Sequence, residues 1–122
     1  MSRPLCERAA LTPEARATHF GEVVQRLRRL ISDVRELSDG YAFRCSADRE
    51  TVRLVAEWAA GERLCCPFFE IGIRLEADHG PLWLTLTASN GAKDIIRAEL
   101  PEWIDAPASS VRIPSPSRTD NG

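Results

Sequence analysis

Pro67 fixes where a long helical run must stop, and this constrains the fold more than any other residue of the chain. Proline has no backbone N–H for a helix, and the residue before it avoids helical geometry. Apolar residues recur at helical spacing from about residue 49 onward, so the sequence predicts a helix that ends at Cys66. The adjacent thiols of Cys65 and Cys66 are therefore predicted in its last turn, directly before the chain changes direction.

Two further helices are predicted on either side of this one. The first begins at Thr12, a residue type that caps helix N-termini, with Pro13 at the first helical position. A last helix begins at Ser89 or Asn90, and its inward face carries Ile95, Ile96, Leu100 and Trp103. Both are amphipathic and are expected to pack on a common core.

Two hairpins are predicted between the helices. Residues 34–37 and 41–46 flank Ser38-Asp39-Gly40, and Asp-Gly between two short strands is a strong hairpin signal. Residues 69–76 and 82–87 alternate apolar and polar side chains and flank a turn at 78–81. The order α-ββ-α-ββ-α predicts an α+β fold of two layers, an antiparallel four-stranded sheet with helices on one face.

Length and composition indicate one globular domain. The predicted organisation is a flexible lead-in over residues 1–11, a single domain over 12–104 and a disordered tail rich in Pro and Ser over 105–122. The formal net charge of -2 gives no electrostatic basis for nucleic-acid binding. No apolar run is long enough for a membrane span, and the N-terminus lacks the apolar core of a signal peptide. A cytoplasmic location is therefore expected.

The four cysteines are the candidate functional residues. Without a signal peptide, free thiols are expected rather than disulfides. Helical spacing places Glu62 one turn before both Cys65 and Cys66, with one thiol predicted to face the core and the other to approach the surface. Thiolates prefer soft metal ions, so these three residues are the predicted ligands of a soft metal or metalloid. A complete four-ligand zinc site is not predicted.

The remaining candidates have structural interpretations. Cys45 shares the apolar face of its strand with two aromatic residues and is predicted to lie in the core. His19 is predicted on a helix flank and His79 in a tight turn, neither as a ligand, and Cys6 is predicted to have no role. No complete catalytic motif is present. With only two histidines, the chain has few side chains suited to general acid–base catalysis.

The segment Glu62-Arg63-Leu64-Cys65-Cys66-Pro67-Phe68-Phe69 carries a family resemblance. It resembles a family of small bacterial proteins with an E-R-x-C-C-P-F core. Three further segments carry the same resemblance: Asp39-Gly40-Tyr41-Ala42-Phe43-Arg44, residues 81–87 and Gly91-Ala92-Lys93. The resemblance covers roughly residues 12 to 103. Members are often encoded near heavy-metal resistance or metal-responsive regulator genes, which implies a role for Glu62, Cys65 and Cys66; Cys6 and Cys45 are not part of the motif.

The leading hypothesis is a cytoplasmic, non-enzymatic protein that binds a soft metal or metalloid ion through Cys65 and Cys66, with Glu62 adjacent. One alternative is a structural or interaction module in which these thiols are buried packing groups and the sheet face bearing Trp83 forms a homodimer. Another is a thiol-dependent enzyme acting on a metal compound. A homodimer is expected, and no other cofactor, no nucleic acid and no membrane partner is expected.

Overall fold

The computed structural model describes residues 10–89 and 91–105. A helical N-terminal segment is followed by a hairpin, a long helix, a second hairpin and a short helix. The elements are α1 (Pro13–Thr18), a π-helical segment (His19–Val23), α2 (Val24–Leu30), β1 (Ile31–Leu37), β2 (Gly40–Cys45), α3 (Arg49–Cys65), β3 (Glu70–Leu75), β4 (Leu82–Thr87) and α4 (Ala92–Glu99). Residues 101–105 are again helical. The predicted element order is confirmed.

The four strands form one antiparallel sheet in the order β1-β2-β4-β3. The second hairpin therefore lies beside the first with β4 inside and β3 at the edge. A side chain at Gly40 would collide with the backbone of Leu86, so glycine lets β2 approach β4 closely. The predicted α+β fold with an antiparallel four-stranded sheet is confirmed.

The core lies between the helices and one face of the sheet. Alternate residues of the two central strands are buried there: Tyr41, Phe43, Cys45, Leu82, Leu84 and Leu86. Trp58 of α3 and Trp103 pack with ring centroids 5.1 Å apart, and Phe43 lies edge-on to Trp103 at 5.3 Å. These three aromatic side chains are fully buried and join α3 and the C-terminal helical residues 101–105 to the sheet.

Helix α3 is defined at both ends by local sequence. The Asp48 side chain caps its N-terminus by accepting a hydrogen bond from the Thr51 N–H at 2.9 Å. At the other end Cys66 leaves helical geometry, one residue before Pro67. The α3 boundaries therefore agree with the prediction to within one residue.

The described residues include residues 10, 11 and 105, which lie just outside the predicted domain. Leu11, placed in the flexible lead-in, is 4% exposed and belongs to the core. Asp105, placed in the disordered tail, is helical. The rest of the predicted lead-in and tail, residues 1–9 and 106–122, lies outside the described residues.

Candidate functional site

The Cys65 and Cys66 sulfur atoms lie 3.5 Å apart at the C-terminus of α3. The Cys66 N–H still donates to the Glu62 carbonyl at 2.7 Å, after which the chain turns into Pro67. Cys65 is 0% and Cys66 1% exposed. The expectation that one thiol approaches the surface is wrong, because the turn at Pro67 brings Phe69 back into the same buried cluster.

The cysteines differ in redox state. Cys66 is disulfide-bonded. Cys45 and Cys65 keep their thiol groups. The expectation of free thiols is therefore wrong for Cys66, and Cys6 lies outside the described residues.

Glu62 has a partner that the sequence analysis did not assign to it. Its Oε1 lies 2.9 Å from Nε2 of His19, and both side chains are 4% exposed. The imidazole stacks on Trp58 with a centroid distance of 6.4 Å and an interplanar angle of 18°. His19 is thus a buried hydrogen-bonding group rather than a helix-flank residue, and it engages the carboxylate predicted as a metal ligand.

Two local features lie where His19 contacts α3. His19 opens the π-helical segment, in which the Val24 N–H bonds to the His19 carbonyl, a five-residue step. On α3, Gly61 leaves space for the ring: an added Cβ there would lie 2.5 Å from His19 Nδ1. A glycine inside a helix often marks a close packing contact, so Gly61 is the one sequence signal that points to this contact.

The predicted three-donor set does not converge. Among residues 10–89 and 91–105, no group of three or more His, Cys, Asp or Glu side chains could hold a metal ion. The structure instead brings the two sulfurs together and pairs Glu62 with His19. Any ion at this site would thus have two sulfur ligands from the described chain.

A groove of about 520 Å³ lies beside the His19–Glu62 pair. His19 and Gly61 contribute to its wall, and the groove is also lined by Leu11, Thr12, Glu14, Ala15, Thr18, Glu57, Ala60 and Leu64. The groove therefore gives solvent a route to the edge of the buried imidazole.

Cys45 and His79 lie away from this helix end. Cys45 is 1% exposed, and burial raises the pKa of its thiol from 9.0 to about 11. His79 lies in the turn between β3 and β4 with a φ of 59°, the same as the adjacent Asp78. Cys45 is a core residue and His79 a turn residue, as predicted.

The helices within the described ranges include none that is long and apolar enough to cross a bilayer. Comparison with known proteins gives no match to any family model, curated protein or solved structure.

Proposed function

We propose that the reduced protein binds one soft metal or metalloid ion through the sulfur atoms of Cys65 and Cys66. The observation that carries this proposal is the 3.5 Å separation of the two sulfurs. Thiolates are the protein ligands that soft ions prefer. Two such groups on consecutive residues at a rigid helix end form a bidentate ligand with little conformational freedom to lose.

The sulfur separation favours a bent centre over a linear one. Two sulfurs bonded to one ion at about 2.3 Å lie about 3.8 Å apart at a tetrahedral angle and about 4.6 Å apart in a linear arrangement. The observed 3.5 Å is close to the first value. A pyramidal ion such as arsenite-derived As(III) is therefore favoured over a linearly coordinated one such as Hg(II).

Ion binding requires reduction of the Cys66 disulfide. A thiol or phosphine reductant supplies two electrons, the S–S bond breaks, and each sulfur leaves as a thiol after taking up a proton. The thiols of Cys65 and Cys66 then lose their protons when they bind the ion, so binding weakens as pH falls. In a reducing cytosol such a disulfide is transient, which is compatible with the expected location.

Glu62, expected as a metal ligand, has a different role in this proposal. Its Oε1 is held by Nε2 of His19 at 2.9 Å, so only Oε2 would be left to coordinate an ion. We assign it to positioning the last turn of α3, since its carbonyl also accepts the Cys66 N–H.

The near-complete burial of both cysteines favours a second candidate function. A side chain that is 0% or 1% exposed is typical of a packing thiol in a structural or interaction module. The two candidates differ in accessibility: an ion site must open to solvent on the time scale of binding, whereas a packing thiol reacts only when the protein unfolds.

The test is native mass spectrometry of protein reduced with a phosphine, which does not compete as a thiol. Arsenite, Hg(II) and Zn(II) are added separately at one equivalent to wild type, Cys65→Ser and Cys66→Ser. Cys45→Ser is the matched control, because Cys45 is an equally buried thiol elsewhere in the core. Cys6→Ser tests whether a third thiol is needed.

We expect one arsenic per chain in wild type, Cys45→Ser and Cys6→Ser, and none in the other two variants. If a serine variant fails to fold, alkylation of the wild-type protein is the test instead. Arsenite should protect Cys65 and Cys66 from alkylation. It should not change the labelling of Cys45, which occurs only when the protein unfolds. Reduced wild type that binds no ion, with alkylation as slow as global unfolding, would establish the packing interpretation.

A further inference from the structure

Strand β3 is an edge strand that carries exposed apolar side chains. Ile73 is 44% and Leu75 54% exposed, and with Leu64 they are the exposed large hydrophobic residues of the described chain. Ile73 lies opposite Leu84 and Leu75 opposite Leu82, and both leucines face the core. The apolar face of the sheet thus extends onto β3 beyond the cover of the helices.

The two edges of the sheet differ in how they are protected. Edge strands are normally kept from pairing with other chains by bulges and charged residues. Strand β1 has both: its register shifts between Ile31 and Asp33, and it carries Arg35 and Glu36 as well. Strand β3 also carries charged residues, Glu70 and Arg74, but it has no bulge: it pairs with β4 in unbroken register and has Gly72 and Ile73 at its centre. Strand β3 is therefore the less protected edge.

We propose that β3 pairs antiparallel with β3 of a second copy of this chain, giving a continuous eight-stranded sheet across a two-fold axis at Gly72. In this register Ile71 faces the partner's Ile73 on the helix side of the sheet. Glu70 faces the partner's Arg74 on the other side. Each contact occurs twice because the interface is two-fold symmetric. Opposite charges and apolar pairs directly across two strands are both stabilising.

Other registers lose this complementarity. Centring the axis on Ile73 places Glu70 opposite the partner's Glu76, and like charges across a ladder are destabilising. Centring it on Ile71 places Arg74 opposite the partner's Phe68. A shift by one residue sets the apolar row of one copy against the polar row of the other, since side chains alternate along a strand. Self-complementarity in one register is what identifies a second copy as the occupant.

The sheet face expected to dimerise is a weaker candidate than this edge. Trp83 lies on that face, and the guanidinium of Arg35 sits 4.5 Å from its ring centroid. The ring is therefore already covered by a cation within the same chain. Strand β3 offers exposed apolar side chains, and no strand within residues 10–89 and 91–105 pairs with its outer edge.

The experiment is sedimentation equilibrium in the presence of a phosphine, which excludes intermolecular disulfides. The chain has a mass of 13.6 kDa, so a dimer has twice that mass. Glu70→Arg and Arg74→Glu each create two like-charge pairs and should weaken dimerisation about tenfold. The charge-swapped double variant Glu70→Arg/Arg74→Glu restores opposite charges and should recover wild-type affinity.

Arg44→Glu is the matched control for Arg74→Glu. It makes the same change of charge at an exposed position opposite Trp83, on the sheet face and not at the edge. We expect it to dimerise like wild type. Circular dichroism verifies that each variant is folded. A mass of 13.6 kDa at every concentration, failure of the double variant to recover affinity, or loss of the dimer in Arg44→Glu would overturn the proposal.

Discussion

Nε2 of His19 and Oε1 of Glu62 lie 2.9 Å apart in a part of the core where both side chains are 4% exposed. The two residues are 43 positions apart in the chain, so this contact ties the N-terminal helical segment to α3. The backbone carbonyl of Glu62 also accepts the N–H of Cys66. The glutamate that contacts His19 thus lies one helical turn before the cysteine pair.

Removal of the Glu62 carboxylate should destabilise the protein. Glu62→Ala leaves the His19 ring nitrogen buried without its acceptor, at a cost of about 1–3 kcal/mol in the free energy of unfolding. Glu62→Gln keeps an oxygen acceptor and should lose less. Urea denaturation measures both, with the exposed Glu57→Ala on the same helix as control. A Glu62→Ala variant as stable as Glu57→Ala would show that the contact contributes nothing.

Two glycine substitutions should have opposite effects. An added Cβ at Gly61 meets the buried His19 ring at 2.5 Å, so Gly61→Ala should destabilise by about 1–3 kcal/mol despite its better helix propensity. At Gly21 nothing lies within 4 Å of the added atom. Gly21→Ala should therefore stabilise by about 0.5–1 kcal/mol. Thermal unfolding followed by circular dichroism measures the two, and a stabilised Gly61→Ala would contradict the packing described.

The two buried tryptophans should differ in their tolerance of phenylalanine. Trp103 Nε1 donates to the Val24 carbonyl at 2.9 Å, whereas Trp58 Nε1 is buried without a hydrogen-bond acceptor in the part of the chain described. Trp103→Phe therefore loses a hydrogen bond as well as volume. It should cost about 1 kcal/mol more than Trp58→Phe in denaturant unfolding. Equal costs would mean that the indole hydrogen bond adds no net stability.

Stability should fall at alkaline pH because of Cys45. Burial raises the pKa of its thiol from 9.0 to about 11, so the unfolded chain releases this proton first. The stabilising contribution is complete below pH 9 and is lost as pH rises through 11, a loss on the order of 1–2 kcal/mol. Unfolding measured from pH 8 to 11 should show this slope, and Cys45→Ala, although less stable throughout, should show less of it. If the stability profiles of wild type and Cys45→Ala against pH are parallel, the loss of stability comes from the titration of another group.

The secondary structure could be predicted because its signals are local. Alternating apolar residues specify β4, Asp39-Gly40 specifies the first turn, and Pro67 ends the long helix. Burial of Cys45 followed from the same two-residue alternation. In each case the determining residues lie within a few positions of the feature that they determine.

The site could be predicted only in part because its contacts are not local. Helical spacing correctly placed Cys65 and Cys66 at the end of α3. It gave no information on His19, which reaches Glu62 from 43 residues away. It predicted that one of the two thiols approaches the surface, whereas both are buried, because their burial depends on the course of the chain after Pro67. A disulfide at Cys66 likewise depends on tertiary contacts that spacing does not encode.

The π-helical segment has a consequence for how this chain tolerates changes in length. His19 and Val24 share one face although they are five residues apart, and on a regular α-helix that spacing would separate them by about 140°. Deleting Gly21 would allow regular α-helical bonding with a four-residue step, which keeps His19 within about 40° of its present direction. The segment therefore holds one residue more than the histidine's position requires, and the helix can lose that residue without turning His19 away from Glu62.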